Sequence, residues 1–444
     1  MKRDLARKML LLFGDWLALY LSLFLLVFLR YGSSWQSQWD IHVRPFSLLF
    51  PLWLVALYAS YLYETRFMRP SIDALRAIGI AVFLSFFGSM SVFYLFPPGL
   101  IQPRRNLVFF AIIFGVVLSL WRFAAYKAIR SQVRTNVLFI GDGNEIKELI
   151  RFFNKNPELN YHSLGSITDT SSLDGVVKSA KEKDVGLMVV KSSQSSGRAK
   201  SLFPLMASGI STIDLEEFYE RIFNKVSPEV LDQAWFIRNL ENVNTEAYKF
   251  GKRSMDLVIA LTGTVILAIF FVPIALVIGL SSRGPIIFKQ NRVGMGGHTF
   301  KIYKFRTMKA LSDDGSAELG RVKWTKSNDD RITPVGRFLR VTRIDELPQF
   351  WNILRGDLSF VGPRPERPEF VAQLQKTIPH YNMRHLVKPG LTGWAQINYR
   401  YGSSVKDAYI KLQYDIYYAK KRSMILDLAI ILKTLKVIVT GQGR

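Results

Sequence analysis

Two adjacent carboxylates, Asp345 and Glu346, lie in a basic stretch of the sequence, with Arg340 and Arg343 directly before them. A short turn between Arg340 and Asp345 could bring both side chains to one phosphate. Arginines beside a carboxylate lower its pKa, so we expect Asp345 to stay ionised. An ionised carboxylate can bind magnesium or attack a charge-neutralised phosphate, while Glu346 could position the metal or relay a proton. The same residues are also typical of an ordinary acidic helix start.

A further arginine lies in the tripeptide Pro363-Arg364-Pro365. Because each proline ring fixes its own φ angle, the backbone on both sides of Arg364 is restricted. The guanidinium group is a planar fork that binds a phosphate through parallel hydrogen bonds. The tripeptide therefore predicts a pre-oriented arginine for a phosphate or a nucleobase.

Another group of basic residues surrounds a glycine turn; its members are Lys289, Arg292, Lys301, Lys304 and Arg306. The alternation in TFKIYKFRTM predicts a β-hairpin, and Lys304 and Arg306 would share one face of its second strand. Both could bind phosphate, or they could equally be ordinary surface charges. For Lys289 and Lys301 we favour ordinary surface charges.

The composition limits any catalysis to carboxylates and basic groups. The 444 residues include no cysteine, and none of the five histidines is at zinc-ligand spacing. A hard metal such as Mg²⁺ could assist these groups. The hydrophobic fraction of 49% and the net charge of +24 indicate a chain that enters a bilayer and meets anionic headgroups or phosphorylated substrates. Nucleic acid is not expected as a partner, because no zinc-finger or RNP motif accompanies the charge.

Four apolar segments near the N-terminus are each close to the ~20 residues of a membrane-spanning helix. They run over residues 10–29, 46–63, 77–96 and 107–121. Basic residues flank the first and the last segment; they are Lys2, Arg3, Arg7 and Lys8 before, and Arg122, Lys127, Arg130 and Arg134 after. By the positive-inside rule, both ends of this region lie in the cytoplasm. The acid in the first segment, Asp15, is expected to cap the helix or to reach the interface.

Residues 135–245 change to an α/β pattern. The apolar runs TNVLFI, SLGSI and VGLMVV alternate with helical stretches and predict a parallel sheet, with a glycine turn at Gly141 and Gly143. This Rossmann-like module is degenerate, because Ile146 stands where the dinucleotide fingerprint requires its third glycine. We therefore favour a structural or regulatory role over redox catalysis.

Residues 257–280 carry no charge and are long enough to cross the bilayer. A full crossing would export the rest of the chain, yet residues 283–344 hold 14 Lys or Arg against five Asp or Glu. Pro273 predicts a kink or break in the middle. We therefore predict a re-entrant helix over residues 255–281, with a kinked full crossing as the alternative. The charges within residues 423–440 predict an interfacial helix.

Residues 250–444 resemble the bacterial sugar transferases, which form the monotopic superfamily of polyprenyl-phosphate phosphoglycosyl transferases. The shared blocks are, in order, FKQNRVG, YKFRTM, DDRITPVGRFLR, DELPQFWNILRGDLSFVGPRP, KPGLTGWAQIN and YDIYYAKKRSMILDLAIILKT. The N-terminal half is similar to that of the long members, which add four membrane spans and a Rossmann-like module. The chain is most similar to the hexose-1-phosphate transferases that initiate capsule, exopolysaccharide and O-antigen synthesis.

This resemblance implies the transfer of a hexose-1-phosphate from a UDP-sugar to undecaprenyl phosphate, with release of UMP, at the cytoplasmic face of the bacterial inner membrane. It implies Asp345 as the nucleophile of a covalent phosphosugar intermediate, with Mg²⁺ at Asp345 and Glu346. It assigns further catalytic or phosphate-binding roles to Arg340, Arg364, Asp427 and, as a weaker candidate, Asp415. The sequence does not distinguish glucose, galactose or an N-acetylated sugar.

The predicted fold is a multidomain membrane protein. A four-helix transmembrane region spans residues 1–134, the Rossmann-like module residues 135–245, and a mixed α+β catalytic domain with the re-entrant helix residues 246–444. Membrane lipids are expected partners, and a homodimer and polysaccharide-assembly partners are expected by analogy. Two alternatives are a membrane-tethered nucleotide-sugar oxidoreductase and a non-catalytic scaffold of a polysaccharide machine. The first is disfavoured, because the module has neither a complete glycine fingerprint nor a Tyr-x-x-x-Lys pair.

Overall fold

The computed structural model describes residues 2–63, 71–95, 103–130, 134–168, 178, 180–191, 210–231, 235, 239, 245–310, 329–399, 402 and 404–439. The chain forms two compact units, residues 1–221 and 222–444. The first unit contains a helical bundle and a parallel sheet. The second unit contains the predicted catalytic residues.

Four long helices open the first unit. They are α1 Lys2–Tyr31, α2 Trp35–Ala59, α3 Ile72–Leu95 and α4 Pro103–Arg130. Both α1 and α3 pack against α2 and α4. Aromatic side chains dominate the shared core, where Trp53, Phe110 and Phe114 are fully buried. The four apolar segments predicted from the sequence are thus confirmed as helices.

Four helical stretches among the described residues are long and apolar enough to cross a membrane. They are Ala6–Ala59, which combines α1 and α2, Ala74–Phe93, Asn106–Ala128 and Glu246–Ser281. Twenty residues of α-helix span about 30 Å, the thickness of the hydrocarbon layer. Length and composition therefore indicate a membrane protein.

Asp15 and Arg122 form an ion pair inside this bundle. Arg122 donates from Nε to Asp15 Oδ1 at 3.1 Å and from Nη1 to the Leu62 carbonyl at 2.7 Å. Trp121 Nε1 donates to the same Asp15 oxygen at 3.1 Å. Asp15 lies inside α1, so the expectation that it caps the helix is wrong. A buried charge requires a partner, and here the partner lies 107 residues away on α4.

A four-stranded parallel sheet follows the bundle in the first unit. Its strands are β1 Thr135–Ile140, β2 Tyr161–Ile167, β3 Val185–Val190 and β4 Ser211–Asp214, in the order β2-β1-β3-β4. Two helices accompany it, α5 Asn144–Lys155 after β1 and α6 Leu215–Phe223 after β4. Gly141 and Gly143 both have positive φ in the turn after β1. The predicted strands, parallel pairing and glycine turn are confirmed.

The second unit combines one long helix with short helices and two small sheets. Its elements are α7 Glu246–Ser281, β5 Ile287–Val293, β6 Thr299–Phe305, α8 Pro334–Val341, α9 Gln349–Arg355, β7 Ser359–Val361, α10 Pro368–Thr377, β8 Gly390–Thr392, α11 Trp394–Asn398, α12 Val405–Lys421 and α13 Met424–Val439. β5 and β6 form an antiparallel hairpin, and β7 and β8 pair in parallel. The predicted hairpin and the mixed α and β composition are confirmed.

The long helix α7 is continuous through Pro273. Ala260 and Gly263 face α9, where a Cβ added to Gly263 would lie 2.4 Å from the Phe350 ring. Only 11% of the most apolar part of α7 is buried, so its outer surface requires an apolar solvent. Pro273 does not break the helix. The re-entrant path stays a prediction.

Residues just after α6 pack with the second unit. Val226, Leu231 and Trp235 lie in an apolar cluster with side chains of α10 and α12. Trp394 Nε1 donates to the Asn224 carbonyl at 2.9 Å. In the chain, the second compact unit begins at residue 222. The predicted domain boundary at 245/246 stays a prediction.

The last described helix, α13, has 16 residues, fewer than the ~20 that cross a bilayer. Asp427 and Ile430 are fully buried on one side, while Ile425 is 81% exposed and Leu428 50% exposed on the other. An exposed apolar side on a short helix suits a membrane interface. The interfacial placement stays a prediction.

Candidate active site

Asp345 and Glu346 lie in a tight turn between two short helices. α8 ends at Val341, Arg343 adopts a left-handed backbone with a φ of +61°, and Ile344–Glu346 form one 3-10 turn before α9. A non-glycine residue with positive φ is uncommon and persists only where its surroundings hold it. The carboxylates are therefore presented by a constrained turn and not by the first turn of an α-helix.

Glu346 is the acid that the basic side chains surround. Its Oε1 accepts hydrogen bonds from Arg364 Nη2 at 2.8 Å and Lys304 Nζ at 3.0 Å, and it lies 3.7 Å from Arg343 Nη1. Burial alone raises the pKa of Glu346. The positive charges of Arg364, Lys304 and Arg343 outweigh burial and hold this pKa well below its usual range. Glu346 is thus a buried carboxylate that stays ionised.

Asp345 has the opposite electrostatic setting. It is 8% exposed, and its Oδ1 is buried without a hydrogen-bond partner among the described residues. Burial, and then the negative charge of Glu346, raise the pKa of Asp345, and nearby basic side chains offset this only in part. The expectation of a lowered Asp345 pKa is therefore wrong, because the strongest cation contacts go to its neighbour. The unbonded oxygen keeps its lone pairs available for a metal or an electrophile.

Arg340 is one of the cations whose charge acts on Asp345. Its Nε donates to Thr307 Oγ1 at 2.8 Å, just beyond the end of β6. Burial raises the pKa of Asp345, and the positive charge of Arg340 offsets only part of that rise. The end of the hairpin therefore helps to hold the last arginine of α8 next to the candidate nucleophile.

Lys304 is held in place by a buried amide that sequence reasoning missed. Asn352 on α9 is fully buried, donates from Nδ2 to the Lys301 carbonyl at 2.7 Å and accepts from the Tyr303 amide at 3.2 Å. These two bonds fix β6 against α9. Lys304, the next residue on the strand, consequently meets the turn that carries Glu346.

Arg306 contacts backbone carbonyls at the end of α7. It donates to the carbonyls of Ile278, Ser282 and Pro285 at 3.4, 2.6 and 2.5 Å. Gly284, in the same turn, has a φ of +120°, and a Cβ there would lie 2.8 Å from the Arg306 guanidinium. Arg306 therefore caps the C-terminal end of α7. The structure does not bring it together with Lys304 as a pair of phosphate ligands.

Arg292 and Asp415 lie behind the Pro363-Arg364-Pro365 segment. Arg292 Nη1 donates to the Pro365 carbonyl at 3.1 Å. Asp415 Oδ2 lies 2.9 Å from Arg384 Nη2, which also donates to the Arg364 carbonyl at 2.9 Å. Sequence reasoning missed Arg384, because it lies in none of the motifs that indicated a site. Both predicted binding residues thus support the backbone of the tripeptide.

Asp427 lies in a second buried polar cluster. It accepts from Tyr418 Oη at 2.8 Å and Tyr248 Oη at 3.0 Å, and pairs with Lys252 Nζ at 3.1 Å. Lys252 also donates to the Val361 carbonyl at 3.1 Å. This cluster joins α7, α12 and α13 to the end of β7. Lys252 was missed, although its spacing of four from Asp256 is a helical ion-pair signal.

The two carboxylates have the chemistry that a magnesium ion prefers. Mg²⁺ prefers oxygen ligands and often takes only one or two carboxylates from the protein. Asp345 offers the unbonded Oδ1, and Glu346 offers an ionised carboxylate beside it. Within the described residues, no group of three or more His, Asp or Glu could hold a metal by itself.

Residues 247–441, which include all these side chains, match the family model described as bacterial sugar transferase. Over 188 residues the chain is 38% identical to the exopolysaccharide production protein PSS of Rhizobium leguminosarum bv. phaseoli, covering 41% of this chain and 92% of that protein. The chain belongs to the bacterial sugar transferase family. The resemblance predicted from the sequence is confirmed.

Two further relatives of this bacterial sugar transferase match over a similar number of residues. The UDP-N-acetylgalactosamine-undecaprenyl-phosphate N-acetylgalactosaminephosphotransferase of Aeromonas hydrophila is 44% identical over 196 residues, which are 44% of this chain and 45% of the relative. The UDP-glucose:undecaprenyl-phosphate glucose-1-phosphate transferase of Escherichia coli K12 is 41% identical over 185 residues, which are 41% of this chain and 39% of the relative. The match thus spans less than half the length of these two relatives.

Proposed function

We propose that this bacterial sugar transferase moves a hexose-1-phosphate from a UDP-sugar to undecaprenyl phosphate. The products are undecaprenyl-diphosphate-hexose and UMP, at the start of exopolysaccharide, capsule or O-antigen synthesis. One observation carries the proposal: a buried aspartate with an unbonded oxygen lies next to a glutamate that three cations neutralise. The names of the relatives support this choice of substrates.

The first half-reaction begins at Asp345. One of its carboxylate oxygens attacks the phosphorus that carries the sugar. The bond from this phosphorus to the bridging oxygen of the diphosphate breaks, and UMP leaves with the electron pair. The product is a covalent aspartyl phosphosugar. Burial of Asp345 favours this chemistry, because a poorly solvated carboxylate has little water to displace before it attacks.

The second half-reaction transfers the phosphosugar to the lipid. An oxygen of undecaprenyl phosphate attacks the same phosphorus, and the bond to Asp345 breaks. This regenerates the carboxylate and leaves the sugar on a diphosphate. No net proton is taken up in this step. An ionised phosphate oxygen forms the new bond to phosphorus, and Asp345 leaves as an ionised carboxylate.

The basic side chains supply the positive charge that both steps need. Two dianionic or nearly dianionic substrates approach a site with two carboxylates, so electrostatic repulsion would otherwise prevent attack. Arg340 lies next to Asp345, whereas Lys304, Arg343 and Arg364 surround Glu346. We assign phosphate binding to Arg340 and Arg364, and orientation of the turn to Lys304 and Arg343.

Asp345 and Glu346 are the residues that would hold Mg²⁺. The ion, when bound, would neutralise negative charge on the substrate phosphates. The carboxylates themselves keep their separate roles, with Asp345 as nucleophile and Glu346 as the counter-charge of the three cations.

The proposed membrane arrangement follows from the lipid acceptor and the nucleotide-sugar donor. We propose the inner membrane of a bacterium as the location, with α1 to α4 as spans, α7 as a re-entrant helix and the catalytic unit on the cytoplasmic face. The parallel-sheet module is then a Rossmann-like structural or regulatory addition. A homodimer and contacts with polysaccharide-assembly proteins belong to the same proposal by analogy with long family members.

Release of UMP tests the proposed reaction directly. Detergent-purified protein is incubated with undecaprenyl phosphate, Mg²⁺ and each of UDP-glucose, UDP-galactose and their N-acetylated forms. We expect release with at least one sugar, loss of release in Asp345→Asn, and near-normal release in Asp357→Asn, a matched change of a partly exposed acid nearby. Absence of release with every sugar, or near-normal turnover of Asp345→Asn, would contradict the proposal.

A further inference from the structure

Four consecutive backbone carbonyls around Arg364 are each held by a different donor. The Pro363 carbonyl accepts from the Gly390 amide at 2.8 Å, and the Glu366 carbonyl accepts from the Val293 amide at 2.9 Å. Between them, the carbonyls of Arg364 and Pro365 accept from two arginine side chains, Arg384 and Arg292, at 2.9 and 3.1 Å. The segment is thus anchored on its acceptor side along its whole length.

This anchoring has a reason in the sequence of the segment. Pro363 and Pro365 have no backbone N–H, so neither can join a regular ladder as a donor. Carbonyl oxygens are the main backbone groups by which such a segment can be held. A restricted φ angle fixes only the local chain, whereas the carbonyl bonds fix the segment relative to the rest of the unit.

Arg384 is the most deeply placed of these donors. It is 5% exposed and lies in a 3-10 turn between α10 and β8. Besides the Arg364 carbonyl, it donates from Nη1 to Tyr381 Oη at 2.6 Å and lies 2.9 Å from Asp415 Oδ2. Asp415 on α12 is 1% exposed. A buried guanidinium with a buried counter-ion costs desolvation energy, which good geometry and further hydrogen bonds can offset.

Arg364 is the residue that this arrangement orients. Its carbonyl faces Arg384, and its own guanidinium reaches Glu346 Oε1 at 2.8 Å. We propose that Arg384, anchored by Asp415, is a positioning residue that aims Arg364 at Glu346 and at the substrate phosphate. This inference rests on the proposed sugar-phosphate transfer for its kinetic consequence, but its structural part does not depend on any substrate.

A double-mutant cycle separates positioning from general stabilisation. Arg384→Lys keeps the positive charge next to Asp415 but cannot reach three partners at once. We expect it to lower kcat/KM for UMP release on the order of 10-fold to 100-fold, because small misplacements of a binding group have effects of this size. In an Arg364→Ala background the same change should cost no more than about twofold, the usual scatter of independent effects.

Arg253→Lys is the matched control for this cycle. Arg253 is a partly buried arginine that, like Arg384, donates to the backbone; it binds the carbonyls of Ile353 and Leu354 near the end of α9, both at 2.7 Å. Its effect should be the same with and without Arg364, since it does not touch the Pro363-Arg364-Pro365 segment. A full, additive loss for Arg384→Lys in the Arg364→Ala background would overturn the proposal.

Hydrogen exchange gives a readout that requires no substrate. In the full-length protein, we expect a peptide spanning residues 361–366 to exchange roughly tenfold faster in Arg384→Lys and in Asp415→Asn, as expected for a local loss of anchoring. Arg253→Lys should leave this peptide unchanged. Unchanged exchange in both test variants would overturn the positioning role. If the wild type releases no UMP with any sugar, the proposed function fails, and exchange alone decides the positioning role.

Discussion

Arg364 donates from Nη2 to Glu346 Oε1 at 2.8 Å across a gap of 18 residues in the chain. Together with Lys304 and Arg343 it gathers positive charge on Glu346 and leaves Asp345 with an unbonded oxygen. The two neighbouring acids are thus differentiated by their partners. One keeps its charge, and the other becomes harder to ionise.

The raised pKa of Asp345 predicts that the rate of UMP formation falls at acid pH, which gives the pH–rate profile an acid limb. Only the ionised carboxylate attacks phosphorus, so the rate of UMP formation should rise with pH through a value above the usual aspartate pKa of about 3.9. Single-turnover rates, measured with one UDP-sugar in the pH range where the fold is intact, test this. A rate that stays constant down to a pH near the usual aspartate pKa would contradict it.

Glu346→Gln should move that acid limb to lower pH. The charge of Glu346 is a cause of the raised Asp345 pKa, and the amide removes it without changing the shape. The maximal rate should also fall, on the order of 10²-fold, as for loss of a positioned catalytic group. Glu369→Gln, a change of an exposed acid that pairs with Arg367, serves as control and should leave the limb in place. If the acid limb of Glu346→Gln moved to higher pH, the prediction would be contradicted.

Lys304→Gln should destabilise the protein at neutral pH by about 2 kcal/mol, the range for a hydrogen bond to a charged group. Folding lowers the pKa of Glu346, so ionised Glu346 stabilises the fold. This stabilisation is fully present above the pKa of Glu346 in the unfolded chain, and it is lost as the pH falls through its pKa in the folded protein. The difference between wild type and variant should therefore shrink in acid. Thermal unfolding at several pH values measures it.

Lys249→Gln is the matched control for this change. Lys249 also contacts a glutamate, Glu246, at 2.7 Å, but both side chains are exposed. Exposed pairs contribute little, so no measurable shift is expected at any pH. A shift as large as that of Lys304→Gln would show that burial is not what makes the Glu346 contact strong.

Arg306→Gln should lower stability more than it lowers substrate affinity. The change removes donors from three carbonyls at the end of α7, which costs about 1–3 kcal/mol when such groups are left unsatisfied. Thermal unfolding and KM for the UDP-sugar are measured together, and Arg306→Lys should recover part of the stability. A large rise in KM with unchanged unfolding would instead support the phosphate-binding role predicted from the sequence.

Lys252→Met should partly rescue Asp427→Asn. The single change at Asp427 leaves the partly buried Lys252 without this counter-ion, and breaking a buried pair typically costs about 3–5 kcal/mol. Removing the second charge lowers that cost. Unfolding temperatures of the two single variants and the double variant test the coupling. If Asp427→Asn abolishes UMP release while stability is unchanged, Asp427 acts in catalysis, as the family resemblance implied.

Secondary structure and chemistry were readable from the sequence where the signals are local. Apolar runs located the four N-terminal helices, and alternation located β5 and β6, because each pattern depends on residues within one element. Chemistry was readable for Asp345, Glu346, Arg340 and Arg364, which lie within 25 positions of one another. Pro273 predicted a kink or a break in α7, and the helix continues through it without a break.

Only the tertiary structure decided which acceptor each basic side chain binds. Four basic side chains are alike in type but have different partners. Lys304 contacts Glu346, and Arg306 caps α7. Arg292 donates to the Pro365 carbonyl, and the charge of Arg340 acts on Asp345. A guanidinium or ammonium group binds any acceptor that folding brings within reach, and those acceptors are often far away in the chain. The sequence thus determined which residue types are available for phosphate chemistry. The tertiary contacts determined which of them face the reacting carboxylate and which support the backbone behind it.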